Sequence, residues 1–374
     1  MSTTPIVQFG TSRFLQAHAD LFVSDAMRTG DAIGQIAVVQ SSGDPSRAHR
    51  VHALSDPNGY KVQIKGVEKG ELVDTSTTVT SIAKSFSLPQ DLNEVSDIIA
   101  GEARIIISNT ADAGYRPQDA DKFGEFSADM SYPAKLTWFL FQRFKAGGEP
   151  IQVMPAELVP QNGVVLQGLV SAIAKIYSVE FQDWLMTQVL WVNSLVDRIV
   201  SEPLEPAGAV AEPYALWAIE KQPGLILPCE HPCVQPEEDL EQVESLKLYI
   251  LNLGHSYMVS RWQSDAGTSC QFVREYLDDP DNLSDLKDLY EREVVPGFTA
   301  HGRGPEAEAY VATSIDRFRN PFLDHKLSDI AQNHSEKAQR RIGSFLQWAK
   351  AANPELAMPR LEALIGSETA AGKQ

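Results

Sequence analysis

Residues 6–14 read Ile6-Val7-Gln8-Phe9-Gly10-Thr11-Ser12-Arg13-Phe14. Four mostly apolar residues end at Gly10, and an amphipathic stretch runs from Arg13 to Met27. This order predicts a strand, a glycine turn and a helix start. In that setting the helix N-terminus offers free N–H groups and a positive dipole end to a dinucleotide pyrophosphate. The second glycine of the usual G-x-G-x-x-G turn is Ser12 here, which adds bulk but also a hydroxyl donor. Taken alone, the turn is explained more simply as an ordinary strand–turn–helix.

The alternation continues outward from this turn. Ile36–Val39 is an apolar, mostly β-branched run closed by Gln40-Ser41-Ser42-Gly43. Tyr60–Ile64 and Glu71–Val73 flank a turn and predict a hairpin, and Arg104–Ser108 predicts a buried strand. Ala134–Phe144 and Leu166–Ile176 predict helices, with Ile151–Met154 a strand between them. Strand–helix alternation of this kind implies a parallel sheet with crossover helices. Prolines 203, 206, 213, 223, 228, 232 and 236 then crowd the stretch from Ser201 to Glu244. Beyond it the spacing is helical almost throughout: Leu246–Trp262, Gln271–Tyr276, Leu283–Val294, Ala307–Phe318 and Leu323–Ala349. The expected fold class is α/β, a Rossmann-like dinucleotide-binding domain over residues 1–240 followed by an all-α domain over 241–374, with a polar tail at Gly366–Gln374.

Length and charge agree with two domains. The chain has 374 residues, 32 Lys+Arg and 50 Asp+Glu, for a net charge of −18. That balance argues against nucleic acid and against an anionic membrane as partners. It leaves room for an anionic small molecule, because a local group of cations overrides the global sign. Three cysteines point to a reducing compartment. Cys229 and Cys233 bracket His231, but the spacing is not a usual zinc spacing and no second ligand pair follows, so no metal is expected. The N-terminus lacks the charged and apolar regions of a signal peptide. A cytoplasmic monomer or small homo-oligomer is expected.

The chemistry concentrates in Lys247-Leu248-Tyr249-Ile250-Leu251-Asn252-Leu253-Gly254-His255. On an α-helix Asn252 sits about 140° and His255 about 80° from Lys247. A lysine, an asparagine and a histidine on an otherwise apolar helix are costly to bury without a purpose, although a water-facing polar edge explains the pattern as well. Asn193 follows an apolar run at Val189–Val192, which places it at a strand end. Arg317 and Arg319 near a helix end suit a carboxylate, or simply the helix C-terminus. No acid follows the second strand to meet ribose hydroxyls, and Arg47 and Arg50 come soon after, so NAD and NADP both stay open.

Together these segments resemble the mannitol dehydrogenase family of polyol-specific long-chain dehydrogenases, over about Ile6 to Ile365. The turn Phe9–His18, the stretch Ser108-Asn109-Thr110-Ala111-Asp112-Ala113-Gly114, the run Asn193–Ile199, the K-x4-N-x2-H set and Arg317-Phe318-Arg319-Asn320-Pro321 carry the likeness. Ser131–Thr137, Asn109–Gly114 and Thr313–Asn320 are similar to its hexuronate branch, the tagaturonate reductases. The resemblance implies a metal-independent NAD(P)-dependent oxidoreductase acting on a sugar acid or, alternatively, a polyol. It implies Lys247 as the general base, Asn193 and Asn252 as donors to the developing alkoxide, and His255 on a neighbouring hydroxyl. It implies cofactor contacts at Gly10, Ser12, Phe14, Gln40, Asn109 and Thr110. Lys221 stands where the mannitol-type motif has an acid and, with Arg317 and Arg319, is expected to favour an acidic substrate. A non-catalytic nucleotide-binding protein is the rival from another class, against which the intact Lys–Asn–His set argues.

Overall fold

The structure is a computed structural model and describes residues 3–42, 44–110, 112–264 and 269–371. The chain divides into two units. The first comprises Met1–Ile64, Thr75–Ala211 and Ala215–Leu240; the second comprises Lys65–Asp74, Glu212–Tyr214 and Glu241–Gln374. Two short segments from the first 240 residues thus belong with the helical part, a division that no single linear boundary expresses.

The first unit is built on strands Ile6–Phe9 (β1), Ile36–Gln40 (β2), Tyr60–Glu68 (β3), Glu71–Val79 (β4), Ile82–Ser87 (β5), Ile105–Ser108 (β6), Ile151–Pro155 (β7) and Val189–Trp191 (β8). Only the tip of the β3–β4 hairpin is counted with the second unit. Six of these strands form a parallel sheet in the order β5-β2-β1-β6-β7-β8. The four inner strands β1, β2, β6 and β7 are buried along their whole length, which is why they read as largely apolar runs, whereas the edge strand β5 is only partly buried. Ile105 and Ile107 pack into one core with Leu15, Phe22 and Met154, while Ile106 packs into the other with Leu136 and Phe139. The period of two along the strand decides which face each side chain joins.

The expected helix Arg13–Met27 is two helices, Arg13–Gln16 and Ala19–Thr29. The break falls at Ala17 and His18. Arg198 donates to the freed Ala17 carbonyl at 2.6 Å, and His18 Nε2 lies 2.9 Å from the Leu216 carbonyl. These partners come from far along the chain, so local periodicity carries no sign of the break.

The proline-rich stretch is less irregular than its composition predicts. Strands Ser194–Asp197 (β9) and Val200–Pro203 (β10) lead into it, and it holds Gly208–Ala211 (β11), Leu216–Glu220 (β12) and Val234–Glu237 (β13). They form two small sheets, β10-β11-β3-β4 and β13-β12-β9. The strand prolines, Pro203 and Pro236, lie in β10 and β13, which are edge strands, where a missing N–H is tolerated.

The second unit is helical, as expected, but among the described residues three of its helical runs pass through π segments. Lys247–Asn252 links Leu240–Leu246 to Leu253–Ser264. Tyr290–Val294 links Pro280–Leu289 to Val295–Ala300, and Gln339–Gly343 links His334–Ala338 to Ser344–Ala352. Leu253, Leu289, Tyr290, Phe298 and Phe345 form its core. The expected single helix Leu323–Ala349 is interrupted, with Asn333 in the left-handed region at φ 54°. The expected polar tail is instead a helix, Pro359–Ala371, and residues 372–374 lie outside the described residues. Among the described residues no helix is long and apolar enough to cross a membrane.

Candidate active site

In the first unit, β1 leads to β2 on one side, and β6 lies on its other side. The strand order therefore reverses between β1 and β6, the place where open parallel sheets bind dinucleotides. Gly10 ends β1 with φ 123°, and an added Cβ there would stand 2.6 Å from the Asn109 carbonyl oxygen at the end of β6. The glycine is thus required by conformation and by close approach. Ser12 is the N-cap of Arg13–Gln16, accepting from the Leu15 N–H, and its Oγ donates to Asn109 Oδ1 at 3.2 Å. Serine in place of the second glycine therefore ties β1 to β6. Phe14 stacks on His18, with ring centroids 4.7 Å apart.

Asn109 donates from Nδ2 to the Ala156 carbonyl at 2.8 Å. Thr110 gives both its N–H and its hydroxyl to Glu157 Oε1, at 3.0 and 3.1 Å, and Ser108 donates to Oε2 at 2.9 Å. Burial raises the Glu157 carboxyl above its ordinary range, against these hydrogen bonds. Ala111, in the same stretch, lies outside the described residues. Gln40 is buried, donating to the Asp44 carbonyl at 3.1 Å and accepting from Ser87 at 2.8 Å, so its amide is already engaged within the protein. Arg47 pairs with Asp44 on the surface at 3.3 Å.

Asn193 lies between β8 and β9 and is fixed at both ends of its amide. Oδ1 accepts the Val164 N–H at 3.1 Å, and Nδ2 donates to Glu220 Oε2 at 2.8 Å. An amide nitrogen carries two hydrogens, so one remains for a ligand oxygen. Asn162 braces this loop. Its Nδ2 reaches the carbonyls of Pro155, Glu157 and Ser194, and its Oδ1 accepts the Ser194 N–H at 2.9 Å. Lys221, expected among the substrate contacts, is half-exposed and paired with Glu238 at 3.0 Å. This placement favours a surface ion pair over a substrate contact.

In the second unit, Lys247, Asn252 and His255 lie on one helical run. The α-helical estimate of about 140° between Lys247 and Asn252 does not hold there. The Leu253 N–H reaches back to the Leu248 carbonyl, an i→i−5 bond. A π turn closes on the fifth residue, so Asn252 comes to lie one turn from Lys247 on the same face. Lys247 is half-buried, with Glu244 one turn before it. Burial, then Glu241, raises the Glu244 carboxyl, while Lys247 lowers it. His255 is buried against the Phe318 and His325 rings, at 4.7 and 4.8 Å. Burial foremost, then His325 and Arg341, holds its pKa well below 6.5, so it is a neutral imidazole at neutral pH.

Arg317, expected to meet a substrate carboxylate, has a carboxylate partner within the protein. Arg317 is buried and forms a two-pronged pair with Glu212, Nε to Oε2 at 3.0 Å and Nη2 to Oε1 at 2.8 Å. Its guanidinium also lies over Tyr214, 4.3 Å from the ring centroid. The partner is 105 residues away in sequence, which hides it from a linear reading. Arg319, at the C-cap of Gly304–Phe318, is exposed. Glu157 and Asn162 are buried polar groups missed by sequence reasoning, and Glu212 and Glu220, buried and half-buried, had no role assigned from the sequence. An acid two residues past a buried strand was the available sign for Glu157.

His231 Nδ1 accepts the Cys233 N–H at 3.1 Å and its ring stacks on Phe22. Burial pushes the Cys229 thiol up to about 12. Among the described residues no group of three or more His, Cys, Asp or Glu is arranged to hold a metal ion.

Residues 4–226 match the mannitol dehydrogenase Rossmann domain, and residues 239–367 match the mannitol dehydrogenase C-terminal domain. Altronate oxidoreductase of Halalkalibacterium halodurans is 29% identical over 90% of this chain and 69% of its own length. That of Bacillus subtilis is 28% identical over 90% of this chain and 73% of its own. Among solved structures, a D-sorbitol dehydrogenase in substrate-free form superposes with a TM-score of 0.82 at 20% identity, covering 98% of this chain and 80% of its own. The Pseudomonas fluorescens mannitol 2-dehydrogenase complex with NAD and D-mannitol superposes at 0.68 and 20% identity, covering 99% and 79%. The chain belongs to the mannitol dehydrogenase family and is a dehydrogenase with that family's Rossmann and C-terminal domains.

Proposed function

We propose that this chain is an NAD-dependent, metal-independent dehydrogenase of a sugar acid of the altronate–tagaturonate type, interconverting a secondary alcohol and a ketone. The observation that carries the reading is the set Lys247, Asn252 and His255 on one helical run whose π turn brings the first two to one face. Alignment with altronate oxidoreductases over 90% of the chain supports the sugar-acid class.

The β1–β6 crevice suits a dinucleotide, because Gly10 leaves the turn bare of a side chain beside Asn109. Gly10, Ser12, Phe14, Gln40, Asn109 and Thr110 would hold it. A nicotinamide held there would supply the hydride acceptor for alcohol oxidation and the hydride donor for ketone reduction. Lys247 takes the hydroxyl proton during oxidation and gives it back during reduction. Asn252 and the spare Nδ2 hydrogen of Asn193 stabilise the negative oxygen as it develops. His255, neutral, holds a neighbouring hydroxyl. Because Arg317 is bound to Glu212, the substrate carboxylate is assigned to Arg319. The engagement of Arg317 is also what favours the second reading, a polyol dehydrogenase with the same chemistry.

The test is Lys247→Ala, assayed for NADH oxidation with tagaturonate at neutral pH. A loss of about 100-fold or more in kcat is expected for removal of the general acid–base group. Turnover that survives largely intact sinks the assignment. Running the wild type on tagaturonate, fructuronate, fructose and xylulose, with NADH and NADPH, separates sugar acid from polyol and one cofactor from the other.

A further inference from the structure

Tyr290 is fully buried, and its hydroxyl donates to the Ile250 carbonyl at 2.9 Å. Ile250 lies within the π segment Lys247–Asn252, and Tyr290 opens the π segment Tyr290–Val294. The hydroxyl fits only because residue 254 is glycine. An added Cβ there would stand 2.0 Å from Tyr290 Oη and 3.1 Å from its ring carbon Cζ. A π turn is a local fault in the i→i−4 ladder, of the kind that accompanies insertion of an outside group. Outside donors reach this one, among them Tyr290 on Ile250 and Arg341 Nη1 on the Asn252 carbonyl at 3.4 Å. Arg341 also reaches Ser256 Oγ at 3.1 Å, one residue past His255.

We propose that Tyr290 and Gly254 form a lock that holds this helix in its π register and thereby keeps Lys247, Asn252 and His255 in one working arrangement. Tyr290 is a positioning residue. Closing the ladder to a regular α-helix would turn Asn252 and His255 by about 100° relative to Lys247. The inference rests on the catalytic reading of the same helix.

The test compares Tyr290→Phe, Gly254→Ala and the double variant, in the full chain, by steady-state NADH oxidation with tagaturonate and by amide hydrogen exchange. Tyr290→Phe keeps the ring and removes the donor. It should lower kcat about 10- to 100-fold, leave the cofactor KM unchanged, and speed exchange at residues 248–255. Gly254→Ala forces a methyl onto the hydroxyl, and removing that oxygen in the double variant should restore part of the lost rate. Tyr257→Phe, which removes a hydrogen bond to Asp285 from the same helix, should leave kcat near wild type. Wild-type kcat in Tyr290→Phe, unchanged exchange, or losses that simply multiply in the double variant each overturn the lock. If Gly254→Ala does not fold, Tyr290→Phe with its exchange data decides alone. Lys247→Ala separates the two ideas. If it is active, the catalytic reading fails and the positioning role falls with it. If it is inactive while Tyr290→Phe is fully active, only the lock fails.

Discussion

Replacing Arg317 with methionine should cost stability far more than substrate binding. The guanidinium and the Glu212 carboxylate meet through two bonds of 3.0 and 2.8 Å, with side chains only 3% and 2% exposed. Removing the arginine leaves a buried carboxylate without its cation. Such a loss costs about 3–5 kcal/mol, whereas replacing both partners by apolar residues of similar volume is often nearly neutral. At about 2–4 °C per kcal/mol for a domain of this scale, the single variant should melt roughly 10 °C lower. Arg317→Met/Glu212→Met should recover most of that. The assay is thermal unfolding of the three variants by circular dichroism, with KM for tagaturonate measured well below every transition. A single variant that melts like the wild type while its KM for the acid rises tenfold or more would refute the structural role. It would return the substrate carboxylate to Arg317.

Asp20 supplies a pH prediction. It is fully buried, its Oδ2 accepts from the Tyr60 hydroxyl at 2.8 Å, and burial raises its pKa from 3.8 to about 7. The raised value means that the unfolded chain releases this proton first as pH rises. Stability from this group therefore falls between about pH 4 and pH 7, by about 4 kcal/mol in all. Asp20→Asn should flatten that slope in denaturant titrations at pH 4, 5.5 and 7, and an unchanged slope would discard the assignment. Lys221→Ala breaks an exposed pair worth about 0–1 kcal/mol, so melting temperature and KM should both stay near wild type. A large rise in KM would place Lys221 at the substrate after all.

What the residues determined by themselves was local. Apolar, mostly β-branched runs at Ile36–Val39 and Ile105–Ile107 mark strands buried on both faces, because a strand covered on two sides needs no polar alternation. Gly10 marks the turn, since only glycine takes its dihedral without strain. The Lys247, Asn252 and His255 spacing singled out the helix. Tertiary structure decided how these groups are held. The helix break at Ala17 depends on Arg198, the amide of Asn193 on Val164 and Glu220, and the role of Arg317 on Glu212. The π turn that realigns Asn252 with Lys247 comes with a tyrosine 40 residues beyond Ile250. Periodicity and turn chemistry act between near neighbours in the chain. A buried polar group instead takes whichever partner the fold brings within hydrogen-bond reach, and that pairing is set through space.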